Sequence, residues 1–266
     1  MPELPEVKVM ATIANKYFSN TMIENIDILY NKYKRKAPDN HKEFMELLPI
    51  KIKKINSKGK FIWFELENEW SIWIIPSMTG YLQPNEGKFT KIIFYTTNNN
   101  IYFNDMRNFG QIFFCKSKDK LNKKLKELGG DVLLEDIKIQ YLINKLKKLK
   151  QTQYIGDILL NQKVLAGVGN YIRADALYLS NISPFRQIKD LTKKELEILL
   201  HNIKKIINKS YKCQLNYALK KYDYKKQTEC YEFYVYSRKL TDKGEKVHNK
   251  KMKNNRTIWW VPDIQI

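Results

Sequence analysis

The chain's 266 residues suffice for one large domain or two modest ones, and a change of character near the midpoint favours two. A formal net charge of +20 points to a polyanionic partner, most economically nucleic acid, although lysine-rich coding bias would raise the same number without one. No apolar run approaches the roughly eighteen residues of a membrane span and the N-terminus lacks a secretory pattern, so a soluble intracellular protein with no membrane partner is expected.

The start, Met1-Pro2-Glu3-Leu4-Pro5-Glu6-Val7, leads into a segment that puts Met10, Ile13, Ala14 and Tyr17 on one face at helical spacing, with Pro5 tolerated in the first turn. Short apolar runs then predict strands at Lys60 to Leu66, Ser71 to Ile75, Phe89 to Tyr95, Ile101 to Phe103 and Gln111 to Phe114. Turn signals such as Asn98-Asn99-Asn100 separate them, and together they suggest an all-β sandwich. A lysine-rich stretch from Leu121 to Lys150, around Leu128-Gly129-Gly130-Asp131, marks a hinge. The expected organisation is a first domain over 1–128, a linker over 129–150 and a helical domain over 151–266.

In that second domain Thr192-Lys193-Lys194-Glu195 has the form of a capping box, and Leu196, Leu199, Leu200, Ile203, Ile206 and Ile207 line one face of the helix it would start. Leu215 to Gln227 is rich in tyrosine and lysine without clear period and reads as a loop. Tyr231 to Ser237 and Thr257 to Val261 read as two strands joined by a basic connection, a terminal hairpin over about 231–266.

Arginine is scarce where lysine is plentiful, so Arg35, Arg107, Arg173, Arg186, Arg238 and Arg256 are the cations expected to need a planar fork. Cys115, Cys213 and Cys230 are odd in number, widely spaced and without a C-x-x-C pair, so reduced, buried thiols are expected. With histidine only at His41, His201 and His248, no cluster has zinc-site spacing.

Proline after an initiator methionine is normally left at the chain end as a secondary amine. Such an amine attacks an aldehyde-like carbon to form an iminium, a cationic electron sink, and Glu3 beside Pro2 is suited to moving protons there. Alone, Pro2 and Pro5 would more often merely shape a helix entry. Four further motifs accompany them in order: Ser57-Lys58-Gly59-Lys60, Ser77-Met78-Thr79-Gly80, Asp105-Met106-Arg107-Asn108-Phe109-Gly110, and Asp157 to Tyr178 with Gly167-Val168-Gly169-Asn170 at its centre.

This series resembles the formamidopyrimidine-DNA glycosylase and endonuclease VIII family through almost the whole chain. The resemblance implies an α+β fold of two domains: an N-terminal β-sandwich with a leading helix, then a helical domain bearing a helix-two-turn-helix and a C-terminal finger, with DNA in the basic cleft between. It implies a bifunctional glycosylase and abasic-site lyase of base excision repair, acting as a monomer on double-stranded DNA containing damaged bases or abasic sites, wherever the genome is. By the same match Pro2 and Glu3 are catalytic, Lys60 assists elimination, and Met78, Arg107 and Phe109 fill the hole left by the flipped nucleotide. Lys88, Lys163 and Asn170 contact DNA, Asn170 also capping its helix, and Arg256 is the finger arginine that aids the second elimination. Asp175 stands where the family has Glu, which shortens its reach.

Most of the family finish with a four-cysteine zinc finger, but here Val261 and Ile264 stand at two of the cysteine positions. The pattern therefore resembles the zincless finger of some endonuclease VIII-like members, with Trp259 and Trp260 packing in place of the metal. No metal or organic cofactor is expected. Oxidised pyrimidines are the favoured substrates. The alternatives are a glycosylase preferring 8-oxoguanine or formamidopyrimidines, a catalytically silent binder of damaged DNA, and a general packaging protein that would explain the charge but none of the motifs.

Overall fold

The computed structural model describes residues 2–220 and 228–266. The chain divides into two compact units, residues 1–127 with 214–228 and residues 128–213 with 229–266.

The first unit opens with α1 (Leu4–Phe18), followed by β1 (Met22–Ile28), the short helices α2 (Asn31–Arg35) and α3 (His41–Met45), and then β2 (Ile50–Lys58), β3 (Phe61–Leu66), β4 (Ser71–Ile75), β5 (Gly80–Gln83), β6 (Thr90–Thr96), β7 (Ile101–Asp105), β8 (Gln111–Cys115) and α4 (Lys118–Glu127). The strands are ordered β5-β7-β6-β1-β2-β3-β4-β8, with every registered pair antiparallel. β1 and β2 share only the pairs Met22↔Lys51 and Ile23↔Ile50, so the sheet is two halves joined at a narrow seam. The halves face each other across one apolar core, where the rings of Phe64 on β3 and Phe94 on β6 lie 5.2 Å apart. This is the expected sandwich with its leading helix.

Helix α1 contributes Val7, Met10, Ala11, Ala14 and Phe18 to that core. Tyr17, expected on the buried face, is 42% exposed, and Phe18 takes its place because the stripe follows the steps 7, 10, 11, 14, 18. β1, β2 and β5 were not anticipated. In β1 the register shifts between Ile23 and Asn25, and in β2 between Ile52 and Lys54. Each bulge sets buried residues three apart, Ile23 to Ile26 and Ile52 to Ile55, where a regular strand alternates by two.

The second unit contains α5 (Ile139–Lys147), α6 (Ile155–Ile158), α7 (Asn170–Leu179), α8 (Lys193–Lys220), β9 (His248–Lys251) and β10 (Thr257–Trp260). Thr192 caps α8 as expected: its amide donates to Glu195 Oε2 at 2.7 Å and its Oγ1 accepts the Glu195 amide at 3.2 Å. The helix runs on to Lys220, so the expected loop at Leu215 is helical at its start; the end from Gln214 groups with the first unit. Residues 221–227, the rest of that loop, lie outside the described residues.

Two expectations are corrected. Cys213 and Cys230 are joined by a disulfide, leaving Cys115 as the buried free thiol, because folding returns residue 230 to α8 in a way that linear spacing does not reveal. The terminal hairpin pairs β10 with β9, Thr257↔Lys251 to Trp260↔His248, and not with Tyr231 to Ser237. Among the described residues no helix is long and apolar enough to cross a membrane.

Candidate active site and nucleic-acid interface

Glu3 is the N-cap of α1 in a reciprocal capping box with Glu6: the Glu3 carboxylate accepts the Glu6 amide, and the Glu3 amide donates to Glu6 Oε2 at 2.8 Å. The other Glu6 oxygen, Oε1, accepts the side-chain amide of buried Gln214 near the end of α8. The carboxyl beside Pro2 is thus fixed by backbone geometry, and Pro2 and Glu3 are both buried.

Along α1, Asn15 Oδ1 accepts the Ile55 amide at 2.8 Å and the Asn20 amide donates to the Ile52 carbonyl at 2.7 Å. The helix therefore runs antiparallel to β2. From Asn15 back to Leu4 the helix rises about 16 Å, and from Ile55 to its end at Lys58 the strand advances about 10 Å in the same direction, with Lys60 in the turn just beyond. The head of α1 and the turn that bears Lys60 consequently lie toward the same end of the sandwich. Lys60 is half-buried in the two-residue turn between the paired Lys58 and Phe61, where Gly59 supplies φ +58°.

Met78, Arg107 and Phe109 sit on two loops tied together by one buried carboxylate. Asp105 Oδ1 accepts Thr79 Oγ1 at 2.5 Å and the Arg107 amide at 3.3 Å, while Oδ2 accepts Tyr30 Oη at 2.8 Å and the Gly110 amide at 2.7 Å. Ser77 Oγ adds a bond to the Phe109 carbonyl at 2.9 Å. Gly80 and Gly110 are required by the closeness of these loops: a Cβ on Gly80 would lie 2.3 Å from the Pro76 carbonyl, and one on Gly110 2.7 Å from Tyr30 Oη. On this rigid base Phe109 is 51% exposed, the Arg107 guanidinium lies 5.2 Å from its ring centroid, and Met78 is half-buried.

Sequence reasoning missed the groups that hold this patch. Asp105 stands out in the sequence only as part of a motif, yet it is fully buried and collects four donors. Lys32 on α2 donates to the Asn108 carbonyl at 3.3 Å and also to that of Gly110. Burial lowers the Lys32 pKa, and burial followed by the Asp105 hydrogen bond raises that of Tyr30. Lys32 and Tyr30 carry no local signature, but an Asp opening a Gly-closed loop does. Lys88 is exposed beside Phe89, apart from these hydrogen bonds.

In the second unit, α6 and α7 flank a connection braced by Gln162, whose Nε2 donates to the Leu160 and Val168 carbonyls, each at 2.9 Å, and whose Oε1 accepts the Gly167 amide at 2.8 Å. Gly167 takes φ +88° in that turn. Lys163 is exposed on the same connection. The N-cap of α7 is Gly169; Asn170 is its first helical residue and does not cap it, a correction to the expected capping role. Asn170 Oδ1 instead accepts Arg173 Nη2 at 3.2 Å, which turns its NH2 group away from Arg173 at the positive end of the helix.

Asp175 explains the misread strand. Its Oδ1 accepts the amides of Val235 at 2.9 Å and Tyr236 at 3.1 Å, and Oδ2 that of Tyr234 at 3.2 Å, so Tyr231 to Ser237 curls around a carboxylate instead of pairing in a ladder. Burial pushes the Asp175 carboxyl up to about 6, against the opposing pull of the three amides. Arg256 is exposed at the end of the β9–β10 turn, its amide held by Asn254 Oδ1 at 2.9 Å. Beneath it Val235, Val247, Met252, Ile258 and Val261 form an apolar cluster, with Trp260 edge-on to Phe185 at 5.0 Å and Trp259 edge-on to Tyr236 at 4.7 Å. Zinc does not fit here: Val261 is fully buried among hydrocarbon, and neither it nor Ile264 carries a ligand atom.

A β-sandwich with a capped N-terminal helix, followed by a helix-two-turn-helix unit with a terminal hairpin, defines a class of DNA glycosylases. The family model for the formamidopyrimidine-DNA glycosylase N-terminal domain matches residues 1–112, and that for the helix-two-turn-helix domain of the same family matches residues 128–217. The chain is 30% identical over 219 residues to the formamidopyrimidine-DNA glycosylase of Oceanobacillus iheyensis, covering 80% of this chain and 77% of that one. It is 31% identical over 235 residues to that of Prochlorococcus marinus, covering 79% and 80%. Its fold is similar to that of the Lactococcus lactis enzyme bound to DNA containing an abasic site, with TM-score 0.82 at 22% identity over 99% of both chains. It is also similar to that of the Thermus thermophilus protein, with TM-score 0.80 at 21% identity over 99% of this chain and 98% of that one. The chain belongs to the formamidopyrimidine-DNA glycosylase and endonuclease VIII family, a family of DNA glycosylases and abasic-site lyases of base excision repair.

Proposed function

We propose that this glycosylase excises oxidised bases, pyrimidines favoured, from double-stranded DNA and cleaves the resulting site by β,δ-elimination, with the Pro2 amine as nucleophile once Met1 is removed. The nucleotide is turned out of the duplex while Met78, Arg107 and Phe109 occupy its place: Phe wedges into the stack, Met adapts, and Arg hydrogen-bonds the orphaned base. The amine attacks C1′, the N-glycosidic bond breaks and the base leaves with the bonding pair, Glu3 supplying a proton to the opening sugar. The cationic iminium acidifies C2′–H. Loss of that proton expels the 3′ phosphate, and a second elimination, aided by Arg256, expels the 5′ phosphate. Lys60 assists elimination, and Lys88, Lys163 and Asn170 hold the backbone.

The observation that carries this reading is the head of α1, where the capping box holds Glu3 next to Pro2 toward the end of the sandwich that bears the Lys60 turn. A duplex panel tests it. Thymine glycol is expected to be released faster than formamidopyrimidine or 8-oxoguanine, with β- and δ-products from an abasic duplex. The names of the relatives favour a second reading, in which ring-opened purines are preferred, and faster release of formamidopyrimidine would establish it. Tight binding without base release would leave a silent damage binder.

A further inference from the structure

Arg173 lies in the first turn of α7, fully buried, and neither the proposed reaction nor the phosphate contacts use it. Its Nη1 donates to the Gly156 carbonyl on α6 at 2.9 Å, and its Nη2 donates both to the Thr257 carbonyl on β10 at 2.8 Å and to Asn170 Oδ1 at 3.2 Å. One guanidinium thus reaches the first helix of the helix-two-turn-helix, the side chain at the head of the second, and the hairpin residue directly after Arg256. The approach is close-fitting: a Cβ on Gly156 would stand 3.0 Å from the Cε of Met252, the residue whose amide bonds the Arg256 carbonyl at 3.1 Å.

These acceptors, with Met252 Sδ at 3.7 Å from Nη1, are shared between two nitrogens of one fork. A lysine ammonium is a point donor and reaches them only in part. Thr257 is one peptide step, about 3.8 Å in Cα spacing, from Arg256, so fixing the Thr257 carbonyl fixes where the Arg256 side chain begins.

We propose that Arg173 is a positioning residue that locks the Asn170 amide and the Arg256-bearing hairpin into one register, so that the two groups engage the DNA backbone as a unit. The inference rests on the reading of Asn170 and Arg256 as backbone contacts, and assigns Arg173 a share in the second elimination without contact with substrate.

The test uses the full chain, an abasic duplex, single-turnover resolution of β- and δ-products, borohydride capture, and thermal melting as the fold control. Arg173→Lys is expected to slow δ-elimination about tenfold, to lower capture by no more than about threefold, and, combined with Arg256→Ala, to fall within about twofold of Arg256→Ala alone. Free guanidinium is expected to restore δ-elimination to Arg173→Ala, whereas methylammonium is not. Equal losses of capture and elimination with a lowered melting temperature, independent effects in the double variant, or a Lys variant that does not fold would overturn the proposal and leave Arg173 a stabilising residue only. If Arg256→Ala leaves the product ratio unchanged, the underlying reading of Arg256 fails first; if it shifts the ratio and Arg173→Lys does not, only the positioning inference fails.

Discussion

Asp105 bears on function through what it holds. Four donors converge on its buried carboxylate from three segments of chain, and two of those segments carry Met78, Arg107 and Phe109, the side chains proposed to fill the void. Asp105→Ala strands these donors at a cost of about 1–3 kcal/mol for each that stays buried. The first unit is therefore expected to lose several kcal/mol in urea unfolding. If it still folds, base release should fall further than cleavage at a preformed abasic site, because the former needs the loops to fill the place of a base that would otherwise restack. Asp175 gives a pH signature of opposite sign to a salt-bridged carboxylate. Its folded pKa is raised from 3.8 to about 6, so its stabilising contribution is full below the unfolded value and lost as pH rises through about 6. The difference amounts to about 3 kcal/mol, and comparing Asp175→Asn with the parent from pH 4 to 7 should show that slope flattened. Three of the six scarce arginines, Arg173, Arg186 and Arg238, fork onto backbone and side-chain acceptors, while Arg35, Arg107 and Arg256 are exposed. The roles of Asp105, Lys32 and Asp175 were not legible because their partners come together only in the fold.

Among the elements, α1, six strands and the capped α8 were legible because their periods are regular and their caps local. β1 and β2 were not, since a bulge in each breaks the alternation on which strand recognition rests. Tyr231 to Ser237 misled in the opposite sense: its aromatic alternation imitates a strand, but the amides that would pair in a ladder are taken by Asp175. The tail of α8 read as a loop because its polar and aromatic residues mask a period of which only Gln214 and Ala218 are buried. The 105–110 loop yields a test that separates stability from function. Phe109 is exposed, so Phe109→Ala should change unfolding free energy by less than about 0.5 kcal/mol. Release of a base from a fully paired duplex should nonetheless fall steeply, and less so when the lesion is already unpaired, because the unstacking it offsets is then partly done.

At the scale of the molecule, a net charge of +20 makes backbone contact strongly salt-dependent. Each phosphate contact removed should lower the slope of log affinity against log salt by about 0.9, so Lys163→Ala and Arg256→Ala are each expected to flatten it by about one unit on B-DNA, uniformly across sequences. Charge alone does not separate repair from packaging; the chemistry proposed for the head of α1 would. The most direct test is borohydride reduction of the mature protein with an abasic duplex, the adduct being mapped by peptide mass. A single covalent link at the Pro2 nitrogen, abolished when Pro2→Gly is combined with an added N-terminal residue, is predicted. No adduct, an adduct on Lys60 or another lysine, or capture unchanged by that double alteration would contradict the account.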